Sequence, residues 1–165
     1  MAVYNFAYTA PFPKDTKITK EQAFEALRIK SREPMKFVPA IVACEVLEET
    51  PTFIKRKATT KDSRVMVEDI DLYKPALVTF KADTGSYVTN LISENAEGIM
   101  LLTFTFSFPI PPHIQPGSEE ETTWKRGMFE GSANAVNGSV KQTLELFEAG
   151  KLNWETHDVS AAVPK

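Results

Sequence analysis

Residues 76–108 decide the fold, and they read ALVTFKA, DTG, SYVTNLIS, ENAEG and IMLLTFTFSF in succession. Within the first, third and fifth of these segments, apolar and polar side chains alternate, which is the period of a β-strand with one buried face. The two segments between them are short and each contains a glycine, so that successive strands return antiparallel. The stretch therefore predicts a β-meander.

The elements on either side of this stretch extend the meander and add helices. Thr19 and Gln22 have the spacing of a capping box, so a helix is predicted to begin after Thr19 and to stop at Pro34. Residues 35–41 predict a brief second helix or a turn. The predicted strands are residues 3–9, 43–49, 53–59, 64–72, 76–82, 86–93 and 99–108.

A long C-terminal helix is predicted to begin after the N-cap Ser118 and to end at Gly150. An antiparallel sheet with one apolar face needs a cover, and this is the only predicted element large enough to lie across it. We therefore expect an α+β helix-grip fold, in which a curved seven-strand antiparallel sheet wraps around the long helix, with two short helices after the first strand. Residues 1–150 form the predicted single domain, and residues 151–165 a tail with Trp154 as its anchor.

The composition argues against several classes of function. The 165 residues carry a net charge of -3 and lack the basic excess that is typical of nucleic-acid binders. A single cysteine, Cys44, and two histidines exclude a disulfide framework, a thiolate zinc cluster and a three-histidine metal site. No phosphate-binding glycine loop or HExxH motif is present, so we expect neither a cofactor nor a metal. We see no secretory leader and no run of about 20 apolar residues, and we expect a cytoplasmic protein without membrane insertion.

Three polar residues interrupt the otherwise apolar face of the predicted sheet, namely Arg56, Glu68 and Asn90. A short hairpin loop places Arg56 near Glu68. This pair is either an internal ion pair that serves structure, or a cavity-lining carboxylate held by an arginine that transfers a proton or binds a ligand. Asn90 either fixes a backbone carbonyl or donates a hydrogen bond to a ligand oxygen. Glu68 and Asn90 are the candidate catalytic residues.

Phenylalanine is unusually frequent, with eleven residues against seven glycines, and several lie on the same sheet face. The long helix opposite is rich in small residues, which either bring the helix close to the sheet or leave a void above it. A solid core is one interpretation, and a ligand cavity with aromatic walls is the other. The candidate ligand contacts are Arg56, Phe80, Val88, Leu102, Phe104, Phe106, Trp124, Met128 and Ser132.

Short motifs distributed over nearly the whole chain are similar to those of a known family. They are NFAYTAP at residues 5–11, FVPAI at 37–41, CEVLEE at 44–49 and LTF at 102–104, together with residues 89–90, 92–94 and 130–132. The chain thereby resembles the family named after the acetylaranotin biosynthesis cluster protein L, within the START-like superfamily (SRPBCC, or birch-pollen-allergen fold). The resemblance implies a cavity between the sheet and the terminal helix that holds a hydrophobic small molecule.

The resemblance and the polar groups on the inner face lead to one expected function and two alternatives. We expect a protein that binds a polyketide-, peptide- or alkaloid-like molecule and acts on it as a cofactor-free tailoring enzyme of secondary metabolism, by cyclisation, isomerisation or dehydration. The alternatives are a non-catalytic carrier of the same kind of ligand and a chaperone-like interaction module. We expect a monomer or a homodimer.

Overall fold

A single antiparallel sheet and two α-helices make up the computed structural model, which describes residues 2–153. Residues 154–165 of the predicted tail, Trp154 among them, lie outside the described residues. The elements are β1 (Val3–Pro11), α1 (Lys20–Arg32), a 3-10 turn (Pro34–Lys36), β2 (Ile41–Thr50), β3 (Phe53–Thr60), β4 (Val65–Tyr73), β5 (Leu77–Ala82), β6 (Tyr87–Glu94), β7 (Met100–Pro109) and α2 (Glu119–Glu148).

The sheet has seven strands in the order β1-β7-β6-β5-β4-β3-β2, and every neighbouring pair is antiparallel. Strands β2 to β7 form the meander that the alternation predicts, and β1 crosses over to pair with β7. The helix-grip fold is therefore confirmed. β1 runs to Pro11, two residues beyond its predicted end. Proline is tolerated there because β1 is an edge strand, where the missing N–H can face away from the ladder.

Helix α1 begins where the capping box predicts. The Thr19 hydroxyl accepts a hydrogen bond from the Gln22 backbone N–H at 3.1 Å, and the Gln22 side chain accepts one from the Thr19 N–H at 3.0 Å. Arg28 binds Glu25 of its own helix at 2.8 Å and approaches Glu49 of β2 at 3.5 Å. These contacts hold α1 against one edge of the concave face.

Helix α2 has 30 residues and approaches the sheet most closely at β1 and β7. Its N-cap is Ser118, as predicted, and the Ser118 hydroxyl accepts a hydrogen bond from the Glu121 N–H at 3.1 Å. Phe129 packs on Phe6 of β1 with a ring separation of 5.7 Å. Within residues 2–153, neither helix combines the length and the apolar character required to cross a membrane.

The core fills the half of the concave face that lies beneath α1 and the C-terminal half of α2. Phe12, Phe24, Leu27 and Val136 are at most 2% exposed there. Leu152, just after α2, is buried in a smaller cluster with Ala26 and Phe37. This end of the molecule is closed by packing.

The glycines of α2 differ in what surrounds them. A Cβ added at Gly138 would lie 3.2 Å from the carbonyl oxygen of Phe37, whereas a Cβ at Gly127 or Gly131 would meet no atom within 4 Å. Gly138 therefore permits a close approach between α2 and the segment after the 3-10 turn. Gly127 and Gly131 are exposed on the helix, so the close approach that small residues allow is confirmed at Gly138, and the void above the sheet stays a prediction.

We expect Gly131→Ala to raise the free energy of unfolding by about 0.5–1 kcal/mol, because alanine is the better helix former and its methyl group meets no neighbour. The matched change Gly138→Ala should fail to give this gain, since its Cβ meets the Phe37 carbonyl. Urea unfolding of both variants measures the difference. Equal stabilisation by the two substitutions would show that α2 does not approach this segment closely.

Candidate functional site

An open groove with a volume of about 720 Å³ lies at the end of the molecule where α2 begins. Three parts of the chain form it: the turn between β3 and β4, the proline-rich loop before α2, and the first turns of α2. The residues that line it are Asp62, Arg64, Pro111, His113, Ile114, Glu119, Glu120, Thr123 and Trp124.

The rim of the groove on the sheet side is an ordered turn. Arg64 Nε donates a hydrogen bond to Asp62 Oδ2 at 2.7 Å, and the Thr60 hydroxyl donates one to Asp62 Oδ1. The hydrogen bond from Thr60, together with Arg64, holds the pKa of Asp62 below its usual value. Opposite this turn, His113 lies 3.7 Å from Glu120, and both side chains are exposed.

A few side chains at the groove end of the concave face are only half-buried. Val88 pairs with Phe80 on one side and with Phe106 on the other, so it lies within the sheet and not at an edge. It is nevertheless only half-buried, as are Met66 on β4 and Phe108 on β7 at the same end of the sheet. Its two cross-strand neighbours, Phe80 and Phe106, are buried.

Arg56 and Glu68 are directly opposite each other on β3 and β4, as the hairpin predicts. Arg56 Nε donates to Glu68 Oε2 at 2.6 Å, and the two side chains are 3% and 9% exposed. The ion pair is therefore buried on the inner face. At about 3.3 Å per residue, Glu68 lies roughly 13 Å along β4 from Arg64 on the groove rim.

The same guanidinium also binds the end of α1. Arg56 Nη1 donates to the backbone carbonyls of Lys30 and Ser31, each at 3.1 Å. Carbonyls in the last turn of a helix have no partner within the helix, and they carry the negative end of its dipole. Arg56 thus compensates two sources of negative charge, the Glu68 carboxylate and the end of α1.

Lys30 is buried beside this pair, and the sequence analysis did not identify it as a site residue. It is 4% exposed, and its Nζ donates to Asn90 Oδ1 at 2.7 Å. The Nζ also lies 4.6 Å from the ring centre of Phe80 and 4.5 Å from that of Phe104. Burial, followed by the positive charge of Arg56, lowers the pKa of Lys30 to about 7.

A sequence signal for Lys30 exists. It follows Leu27 by three residues, and so continues the apolar stripe of α1 that Ala23 and Leu27 begin. A lysine on an apolar stripe near a helix end usually extends its amine to water or to the end of the dipole. The position of Asn90 on the facing strand, which only the tertiary structure establishes, brings the amine inside.

Cys44 lies on the inner face of β2 and is half-buried. Burial raises the pKa of its thiol, while nearby Arg56 opposes that shift. A raised pKa disfavours the thiolate, which is the reactive form of cysteine. Among residues 2–153, no three His, Cys, Asp or Glu side chains lie together in a group that could hold a metal ion.

The predicted site residues separate into two places. Arg56, Glu68, Asn90, Phe80 and Phe104 surround Lys30 in one cluster, which we call the buried polar cluster. The other candidate ligand contacts differ in burial: Leu102, Phe106 and Ser132 are buried, whereas Val88 and Met128 are half-buried. Trp124 is the one predicted ligand contact among the residues that line the groove. Their roles in ligand binding and catalysis stay predictions.

The lowered pKa of Lys30 predicts a pH dependence of stability. The folded pKa of about 7 lies below the ordinary 10.5, so the unfolded chain binds more protons between these values and stability rises with pH across this window. Lys30→Met removes the titrating group. The free energy of unfolding, measured at pH 7 and pH 10, should therefore rise more in the wild type than in the variant. Parallel pH profiles would contradict the lowered pKa.

Loss of Arg56 should strongly destabilise the fold. Arg56→Met leaves the Glu68 carboxylate buried without its ion-pair partner, and we expect the free energy of unfolding to fall by about 3–5 kcal/mol. The adjacent pair on the outer face, Lys55 and Asp69, has an N–O distance of 3.5 Å and is much more exposed, so Lys55→Met is the control and should cost less than about 1 kcal/mol. Denaturant unfolding gives both values, and similar losses would refute the structural importance of the buried pair.

Comparison with known proteins agrees with this architecture. The Zhui aromatase/cyclase from Streptomyces sp. R1128 superposes with a TM-score of 0.68 at 11% identity, covering 88% of this chain and 96% of that one. The protein Ara h 8.0201 superposes with a TM-score of 0.55 at 16% identity, covering 87% and 99%. The two-domain ARO/CYC protein StfQ of the steffimycin biosynthetic pathway gives 0.65 at 16%, covering 90% of this chain and 52% of its own. At these identities the similarity establishes the fold alone.

Sequence comparison identifies the family. No protein with a curated description matches the chain. The family model described as acetylaranotin biosynthesis cluster protein L matches residues 6–150, which include every strand except the start of β1, and both helices. The match confirms the resemblance carried by the short motifs. The chain therefore belongs to the acetylaranotin biosynthesis cluster protein L family.

Proposed function

We propose that this protein binds a hydrophobic or aromatic small molecule between the sheet and α2, and acts on it as a cofactor-free tailoring enzyme of secondary metabolism. The observation that carries the proposal is the partial exposure of the inner face at Val88. Val88 lies within the sheet, between Phe80 and Phe106, yet it is only half-buried. An apolar concave surface within reach of solvent is the usual form of a small-molecule site.

The side of α2 that faces the groove supports this proposal. Thr123 and Trp124 line the groove, and Gly127 follows them on the same helix face by four and three residues. Gly127 and Gly131, one turn further on, are exposed, and a Cβ at either position would meet no atom within 4 Å. A ligand bound in the groove would therefore meet no side chain at these two positions.

The chemistry available to such a ligand is confinement with a small number of polar contacts. Apolar walls can fold a flexible chain into one reactive conformation, which lowers the entropic part of the barrier. Glu68 keeps 9% of its side chain exposed and is oriented by Arg56, so it is the candidate to transfer a proton. Asn90 is the candidate to bind a ligand oxygen. Cyclisation, isomerisation and dehydration each require these two capacities.

The names of the similar proteins also support the proposal. Zhui is an aromatase/cyclase, and StfQ is an ARO/CYC protein of a biosynthetic pathway. The family itself is named after a protein of a biosynthesis cluster. A polyketide-like or other aromatic ligand follows as the proposed substrate class.

A non-catalytic carrier is the second candidate, and the buried polar cluster favours it. The side chains of Arg56, Glu68 and Lys30 already bind one another or Asn90, and each is less than a tenth exposed. A carrier needs only the apolar cavity and its opening.

Gly127→Leu tests the site. The variant should fold, because the added side chain meets no neighbour. The leucine should fill the space beside Trp124, so that the affinity for the lipophilic fluorophore anilinonaphthalene sulfonate falls by about tenfold or more. The control is Arg126→Leu, which adds the same side chain on an exposed position of the same turn and should leave the affinity unchanged. Fluorescence titration measures both. No binding by the wild type, or equal binding by the two variants, would refute the proposed site.

Incubation with a synthetic linear polyketone separates the enzyme from the carrier. An enzyme returns a cyclised, isomerised or dehydrated product in chromatography with mass spectrometry, and Glu68→Gln should stop the conversion while the complex still forms. A carrier returns the polyketone unchanged from a stoichiometric complex. Full conversion by Glu68→Gln would remove Glu68 from the mechanism.

A further inference from the structure

The amide of Asn90 is held in one orientation by Lys30. The ammonium of Lys30 donates to Asn90 Oδ1 at 2.7 Å, and because an ammonium cannot accept, the opposite orientation of the amide would place two donors against each other. Asn90 Nδ2 therefore points away from Lys30. The side chain is fully buried, and Nδ2 has no hydrogen-bond partner among the described residues.

A buried donor without a partner is uncommon, because it has lost water and gained nothing in return. In native proteins such groups have a water, an ion or a catalytic or binding role. The cross-strand neighbours of Asn90 on β5 and β7 are Val78 and Phe104, whose apolar side chains offer Nδ2 no acceptor. A small group that brings an acceptor oxygen to Nδ2 would complete the site.

Asn90 lies close to the half-buried Val88. Val88 precedes it by two residues on the same strand, and side chains at this spacing share a face. The distance along the strand is about 7 Å. For a ligand bound over Val88, Asn90 is the next side chain of this strand on the same face.

We infer that Asn90 Nδ2 binds a carbonyl or phenolic oxygen of the ligand, and that Lys30 is the positioning residue that orients and polarises this donor. The inference rests on the proposed function and extends it from a hydrophobic ligand to one with an acceptor oxygen at its inner end. A hydrogen bond from Lys30 to Oδ1 withdraws electron density from the amide, so that its N–H becomes a stronger donor. The positive charge of Lys30 also favours the partial negative charge of the ligand oxygen.

The charge state of Lys30 depends on the groups that surround it. Arg56 from β3 disfavours the charged form, Glu68 from β4 favours it, and the rings of Phe80 and Phe104 face the Nζ. Cys44 from β2 lies near Arg56 and Glu68, and its raised pKa keeps it neutral at pH 7. With a pKa of about 7, Lys30 is mostly charged at pH 6 and mostly neutral at pH 9.

Two aromatic probes of equal size, acetylnaphthalene and ethylnaphthalene, test the inference because only the first carries an acceptor oxygen. At pH 6 the wild type should bind acetylnaphthalene about tenfold more tightly, since a charge-assisted hydrogen bond is then formed. At pH 9 this preference should fall to about twofold, because the donor is no longer charge-assisted. Fluorescence titration gives both dissociation constants for each variant.

Lys30→Met should reduce the preference to about twofold at both pH values while leaving the affinity for ethylnaphthalene unchanged. The control Lys36→Met makes the same chemical change at an exposed position of the 3-10 turn and should behave as the wild type. The double variant Lys30→Met/Asn90→Leu replaces both polar groups with apolar ones and should show no preference. If Lys30→Met does not fold, the double variant still tests the inference, because it leaves no buried polar group without a partner at this place.

The outcomes separate the inference from the proposed function. If the wild type binds neither naphthalene, the proposed ligand site itself fails. If it binds both with equal affinity at pH 6, the site stands and the role of Asn90 is refuted. If Lys30→Met retains the full preference and its pH dependence, the role of Lys30 is refuted.

Discussion

The guanidinium of Arg56 joins the sheet to α1, and the arrangement of the interior depends on this contact. It binds Glu68 across the β3–β4 pair at 2.6 Å and two carbonyls at the end of α1 at 3.1 Å. A buried charge is tolerated only when its partners replace water, and these partners come from two different elements. The end of α1 is thereby held above β3, which places Lys30 over Phe80, Phe104 and Asn90.

The concave face is closely packed at one end and less closely at the other. α1 and the C-terminal part of α2 close one end, where Phe24, Leu27 and Val136 are fully buried. At the other end Val88 is only half-buried, and the groove lies between the first turns of α2, the proline-rich loop and the β3–β4 turn. Gly138 allows α2 to approach the segment after the 3-10 turn, whereas Gly127 is exposed.

Much of the fold and part of the site follow from local patterns. The alternation of apolar and polar side chains along residues 53–108 predicts the strands and the face that each one buries. The short hairpin between β3 and β4 then places Arg56 opposite Glu68. Asn90 is inward for the same reason. Pro11 and Lys30 show where local rules end. A proline is tolerated at a sheet edge, and a lysine on an apolar stripe can be buried when a hydrogen-bond partner such as Asn90 lies opposite. The sequence of a single segment shows neither the position of a strand at the sheet edge nor the residue that faces a helix.

The sequence by itself determined the element order, the helix caps, the face that each strand buries and the pairing of Arg56 with Glu68, because these depend on residues that are near in the chain or joined by tight turns. Only the tertiary structure decided that Lys30 meets Asn90, 60 residues away, and that Val88 is only half-buried although it lies within the sheet. Both depend on how the helices lie across a curved sheet. That position is set by the summed packing of many side chains, which no local period encodes.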